Sequence, residues 1–160
     1  MNFQEFQSEI IKRAEESDAC AAEFSKAKRA KDFSELFTVV GQNFNWCCAN
    51  RTIDAELLLQ LPIEILNENS FFVNVSTGKG YLLASGSATV WASGSATVRA
   101  YDSATVRAYD SATVEASGSA YINSHNTIEH KISDKVILRY YYENRIALAE
   151  NINTFSKIEL

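Results

Sequence analysis

Residues Ala84 to Asn123 read ASGSATVW, ASGSATVR, AYDSATVR, AYDSATVE, ASGSAYIN. A period of eight residues held this strictly is an architectural signal first. Alternate positions divide cleanly. One set is Ala88, Val90 and Ala92, then Ala96, Val98 and Ala100, then Ala104, Val106 and Ala108. The other is Thr89 and Trp91, Thr97 and Arg99, Thr105 and Arg107, Thr113 and Glu115. Small apolar side chains on one side and polar or large ones on the other is the alternation of a strand with one buried face. The Gly-Ser or Asp-Ser pair in each copy supplies a corner.

Side-chain volume separates the two arrangements that fit. An antiparallel meander packed on a second layer leaves a gap of about 10 Å to fill with large residues, and Ala with Val underfills it. A narrow β-solenoid needs small residues stacked coil upon coil, and repeated octets stack like on like. We expect the solenoid. An octet is too short to close a coil, so a coil takes two or three; the two-octet coil sets Arg99 beside Glu115. The apolar phase continues through Ile122, Ile128, Ile132, Val136, Leu138, Ile146, Leu148 and Ile152. The array is therefore expected to run to about residue 153, with larger side chains forming a C-terminal cap. Phe71 to Val75 is the expected opening strand, and Gly78 and Gly80 permit a turn after it.

The segment before the repeat reads as helices. Phe3, Phe6, Ile10 and Ala14 share one stripe. Asp18 is a candidate cap for a second helix carrying Cys20, Phe24 and Ala27. Asp32 with Glu35 resembles a capping box ahead of Phe33, Leu36, Phe37, Val40, Phe44 and Cys47. A further short helix is expected from Asp54, limited or followed by another turn at Pro62. The fold class is thus α+β: a small helical bundle over residues 1–68, then a short parallel β-solenoid, or β-helix, over residues 69–160.

The octets AYDSATVR and AYDSATVE, with NFNWCC (Asn43 to Cys48) and GYLL (Gly80 to Leu83) before them, resemble octet-repeat proteins of gut Bacteroidetes and their phages and mobile elements. The resemblance covers most of the chain. It implies a fold and a mobile-element setting, and no enzymatic activity. More loosely, the array is similar in architecture to the bactofilins, polymer-forming bacterial β-helices, without a shared motif.

Among the 160 residues the net charge is −5, which offers no general attraction to nucleic acid. No apolar stretch approaches the roughly 20 residues of a membrane span. The start, MNFQEFQSEIIKRAEE, lacks the apolar run of a signal peptide. Three cysteines, Cys20, Cys47 and Cys48, form no spaced framework, so reduced thiols in the cytoplasm are expected. Adjacent Cys47 and Cys48 read as a core residue and a helix-end residue.

Catalytic constellations are scarce, and no enzyme is expected. STGKG (Ser76 to Gly80) has a phosphate-loop flavour but lacks the required order, and reads as a turn. Asp102 and Asp110 share one repeat position with glycines, so they read as corner residues bonding their own backbone. His125 and His130 with Glu129 are the sole metal candidates; His125 reads as solvent-facing and His130 as inward and hydrogen-bonded. No cofactor or metal is expected. The threonine columns raise an ice-binding reading, which sixteen-residue coils would split between two faces.

Two surfaces are candidates for binding. One is the exposed aromatic and arginine set Trp91, Arg99, Tyr101, Arg107 and Tyr109; the other is RYYYENR, carrying Arg139 and Tyr141. Such residues are enriched in interface hot spots. The expected function is non-catalytic recognition of a bacterial protein, as an inhibitor or adaptor of the anti-defence or anti-CRISPR type. The alternative is a self-assembling structural β-helix, a homo-oligomer joined through a solenoid end. Neither membrane nor nucleic acid is an expected partner.

Overall fold

The computed structural model describes residues 1–75 and 77–149, together with the backbone of Phe155–Ser156. The chain forms two compact units, Met1–Phe71 and Phe72–Leu160.

The first unit holds α1 (Phe3–Glu16), α2 (Ala21–Arg29), α3 (Phe33–Gln42), α4 (Phe44–Ala49), α5 (Ala55–Leu58) and α6 (Ile63–Glu68). Asn2 and Glu5 close a reciprocal capping box on α1, which buries Phe6, Ile10 and Ala14. Asp32 and Asp54 cap α3 and α5 through the backbone N–H groups of Glu35 and Leu57. Glu35 completes its side of the first cap one residue early, accepting from Lys31 N. Asp18 does not cap α2, whose N-cap is Cys20. It sits at φ 53° just past the end of α1, where its N–H bonds to Glu15 O. Asp tolerates that left-handed geometry, and this is its use here. The expected apolar run from Phe33 to Cys47 breaks at Asn43, between α3 and α4. Pro62 opens α6. Phe6, Phe33, Phe37, Phe44 and Phe71 form the aromatic core, with Phe37 and Phe71 centroids 4.5 Å apart.

The second unit is the parallel β-solenoid. Its first sheet runs in the order β1 (Phe71–Val73), β3 (Tyr81–Ala84), β5 (Thr97–Ala100), β7 (Thr113–Ala116), β9 (Lys131–Ile132). Its second sheet contains β2 (Thr77–Gly78), β4 (Thr89–Ala92), β6 (Thr105–Ala108), β8 (Tyr121–Ser124), β10 (Ile137–Tyr140), β11 (Arg145–Leu148) and β12 (Phe155–Ser156). Register advances by sixteen residues: Val90 faces Val106, which faces Ile122, which faces Leu138. A coil is therefore two octets, and alternate octets feed alternate sheets. Leu82, Val98 and Val114 make the matching inward column of the first sheet. All seven of these side chains are at most 3% exposed, and burying each stabilises the fold by about 1.5–3 kcal/mol.

The corners explain the Gly and Asp positions. Gly86, Gly94, Asp102, Asp110, Gly118 and Asp134 all take φ between 51° and 76°. Turn chemistry led to the expectation that Asp102 and Asp110 bond their own backbone, and they do not. Asp102, Asp110 and Asp134 instead accept from Gly86 N, Gly94 N and Gly118 N, one coil back, at 2.9–3.0 Å. The stacked coil brings that N–H within reach of the carboxylate.

The array does not continue in phase to residue 153. β11 lies where the octet count would assign it to the first sheet, yet it folds back antiparallel on β10, pairing Leu138 with Ala147. Asn144, at φ 47°, allows that reversal across Tyr141–Asn144. The hairpin register inverts parity. Ala147 packs on the core, while Ile146 and Leu148 oppose Arg139 and Ile137 and are half-exposed. Ile152 and Ser76 lie outside the described residues. Among the described residues, no helix is long and apolar enough to cross a membrane.

Candidate binding surface

The sixteen-residue coil sorts the seven candidate residues onto two faces. Trp91, Arg107, Tyr109, Arg139 and Tyr141 belong to the second sheet and its corner. Arg99 and Tyr101 belong to the first sheet.

On the second sheet, one outward column runs Trp91, Arg107, Asn123, Arg139. The Arg107 guanidinium lies 5.3 Å from the Trp91 ring centre. The neighbouring column stands at the corner, where Tyr109 N, His125 N and Tyr141 N each donate to the carbonyl of the previous coil at 2.7–2.9 Å. These bonds fix one ring above another. Tyr109 and His125 stack at 4.6 Å and 16°, and His125 and Tyr141 at 4.6 Å and 26°. Tyr142 meets His125 and Tyr141 edge-on, and Arg139 lies 5.2 Å from the Tyr141 ring centre. The two surfaces expected separately thus join in one strip. Trp91 and Tyr141 are each 47% exposed and Tyr142 is 74% exposed.

The strip is locally positive on an acidic chain. Among the described residues, neither Arg107 nor Arg139 forms an ion pair. Partial burial, then the charges of Arg107 and Arg139, lower the pKa of His125. His125 is the member that sequence reasoning missed. Its signal was its spacing of sixteen residues from both Tyr109 and Tyr141, legible only once the coil is known to take two octets.

Arg99 is not an exposed binding residue. It is 7% exposed, ion-paired to Glu115 on the next coil, and bonded through Nε to the Tyr101 hydroxyl at 3.2 Å. Burial works against its charge, but the bonds to Glu115 and Tyr101 outweigh it and raise the pKa. Arg99 stands in a column between Leu83 and Glu115, whereas Arg107, the same residue of the following octet, is exposed.

The two histidines are differently employed. His130 is buried. Its Nδ1 accepts from Val114 N at 3.2 Å and its Nε2 lies 3.0 Å from Ser124 Oγ. β9 is only two residues long, pairing with Glu115 and Ala116, so the imidazole serves Val114 where the ladder stops. Burial pushes the His130 pKa down to about 4. Among the described residues, no three His, Cys, Asp or Glu side chains gather as a metal site. Thr89 and Thr105 lie on the second sheet and Thr97 and Thr113 on the first, so the threonines form no broad flat array. Cys47 and Cys48 are both buried and are not joined by a disulfide, and burial raises the Cys47 pKa to about 12. Such a thiol stays protonated and is a poor nucleophile.

Comparison with known proteins adds no relative: no family model matches the chain, and neither a curated protein nor a solved structure matches it.

Proposed function

We propose that the protein is a non-catalytic recognition module whose second-sheet strip captures an acidic segment of a bacterial protein. The observation that carries this reading is the pair of arginines, Arg107 and Arg139, held over aromatic rings and without carboxylate partners among the described residues. A rigid sheet sets both cations and the rings of Trp91 and Tyr141 before a ligand arrives, so little ordering entropy is lost on binding. Aromatic and arginine anchors are the residue types that dominate interface energetics. In the mobile-element setting implied by the octet resemblance, the captured protein belongs to the host, and the module acts as an inhibitor or adaptor against a defence system.

The test is comparative capture from a lysate of the native host. Wild type is expected to retain a partner that Trp91→Ala and the pair Arg107→Glu with Arg139→Glu lose. The control pair Lys12→Glu with Lys31→Glu, which makes the same charge change on exposed helical-unit residues, retains it. Equal capture by all of these, or capture abolished by nuclease, rejects the reading.

Self-assembly as a structural β-helix is the second reading. It draws on the first sheet, whose last strand among the described residues is β9. The antiparallel β11 on the second sheet weighs against simple head-to-tail growth, because it ends the parallel order there. Light scattering at several concentrations separates the two: open-ended growth rejects the discrete module, and a fixed small species rejects the filament.

A further inference from the structure

The corner column of the second sheet runs Lys79, Ser93, Tyr109, His125, Tyr141, one residue per coil. Two of its steps are ring on ring, at 4.6 Å each, so His125 is covered on both faces. At one end Tyr141 meets the Arg139 guanidinium and the edge of Tyr142. At the other end the stack stops at Tyr109. Among the described residues His125 is the one ring stacked on Tyr109, and its other face looks towards the small Ser93. The corner there is open: a Cβ on the neighbouring Gly94 would meet only Lys79 Cδ, at 3.9 Å. A step is thus left at the end of the stack, between Tyr109 and the exposed Lys79, beside Trp91 of the same coil.

The adjacent outward column carries its two guanidiniums on alternate coils, Arg107 and Arg139, with the uncharged Asn123 between them. Two coil steps separate them by about 10 Å. Three residues of extended chain rise about 9–10 Å, whereas two fall about 3 Å short and four overshoot by about as much. In a helix, residues three apart would stand only about 5 Å from each other. The spacing of the cations therefore suits an extended segment with acids three residues apart. Single-stranded nucleic acid fits less well, because it stacks successive bases on successive rings. Here the ring faces between Tyr109 and Tyr141 are spent on one another.

We propose that the strip reads a linear motif in its partner: an extended acidic segment lying along the solenoid axis, across the strands. Two carboxylates three residues apart bond Arg107 and Arg139, and an aromatic side chain just beyond them stacks on Tyr109 in the step at Ser93. Lys79, on the far side of that step, adds a cation to the same ring. The motif rests on the recognition reading and gives it a sequence requirement.

Fluorescence anisotropy of labelled peptides with the full chain tests the motif. Phe-Ser-Glu-Ser-Ser-Glu is expected to bind saturably, several-fold tighter than versions with the glutamates two or four residues apart. Replacing its Phe by Leu is expected to weaken binding about fivefold, the scale of one aromatic pair. Ser93→Tyr, which puts a ring of the chain's own into the step, is expected to erase the advantage of the Phe peptide over the Leu peptide. Arg139→Gln is expected to erase the preference for three-residue spacing. Should either variant not fold, the peptide series with wild type still decides. No saturable binding, no preference for spacing, no loss on replacing Phe, or tighter binding of an oligothymidylate than of the peptide each overturn the motif. Lysate capture that still depends on Trp91 and the two arginines then leaves the recognition module standing without it; lysate capture indifferent to them rejects both.

Discussion

Gly86 and Gly118 occupy the same place in the same local sequence, ASGSA, and both take a left-handed backbone, at φ 62° and 76°. Their surroundings differ. A Cβ on Gly86 meets nothing within 4 Å, whereas on Gly118 it lies 2.9 Å from Asp102 N, 3.0 Å from its carbonyl oxygen and 3.2 Å from its Cα. Those atoms are backbone, held in the ladder by Ser119 N donating to Asp102 O at 2.7 Å, and cannot swing aside. Alanine at either site carries the left-handed penalty of roughly 1–2 kcal/mol. Gly118→Ala adds an overpacking cost of about 1–3 kcal/mol. We therefore expect Gly86→Ala to cost about 1 kcal/mol and Gly118→Ala about 3 kcal/mol. Asparagine, which accepts the left-handed region readily, should soften the first and not the second. Urea unfolding checks this through Trp91 fluorescence in a Trp46→Phe background, since the chain has two tryptophans and Trp91 lies in the solenoid. Equal losses at the two glycines would refute the inference that coil-to-coil contact, rather than local conformation, fixes glycine at 118.

Other perturbations follow from the same geometry. His130 is a base kept neutral by the fold, with a pKa near 4 against 6.5 when exposed. The unfolded chain thus binds the extra proton; the stability is fully present above pH 6.5 and is lost as pH falls towards 4. That protonation linkage is worth about 3 kcal/mol, and urea midpoints at pH 7.5 and 4.5 should show a drop that His130→Gln removes. Val106→Ala, at 0% exposure between Val90 and Ile122, is expected to cost about 2 kcal/mol in chemical denaturation. Thr105→Ala on the outward face should cost under about 0.5 kcal/mol. Glu115→Leu strands the buried Arg99 guanidinium and should cost about 2 kcal/mol; Arg99→Leu leaves the more exposed Glu115 to hydrate and should cost under about 1 kcal/mol. Equal losses for those two variants would argue against a buried, dependent arginine.

The octet revealed the inward column, the corners and the parallel stacking because those follow from local periodicity and side-chain volume. It left the coil closure open, since a period of eight is compatible with two or three octets per turn. The site depends on that closure. With it unresolved, Arg99 and Arg107 looked equivalent and His125 looked isolated, although two octets per coil separate the first pair and place His125 between two tyrosines. Ile146 and Leu148 were misassigned to the interior because parity is preserved only while the chain keeps its direction. The turn before β11 reverses the chain, and a register in which 138 meets 147 exchanges odd for even. Asp18 looked like a helix start because Asp serves both ends of such junctions, and sequence does not say which.

Alternate octets feeding alternate sheets has a consequence for how such a chain can vary by unequal duplication. Copying two octets adds one full rung to each sheet, about 4.8 Å of length, and every later residue keeps its side. Copying one octet after Glu115 moves His125, Arg139 and Tyr141 to the opposite sheet while Trp91, Arg107 and Tyr109 stay, and the continuous strip is cut in two. Copy number is therefore free to drift in even steps and constrained in odd ones, which makes the parity of the repeat count an inherited property of the surface.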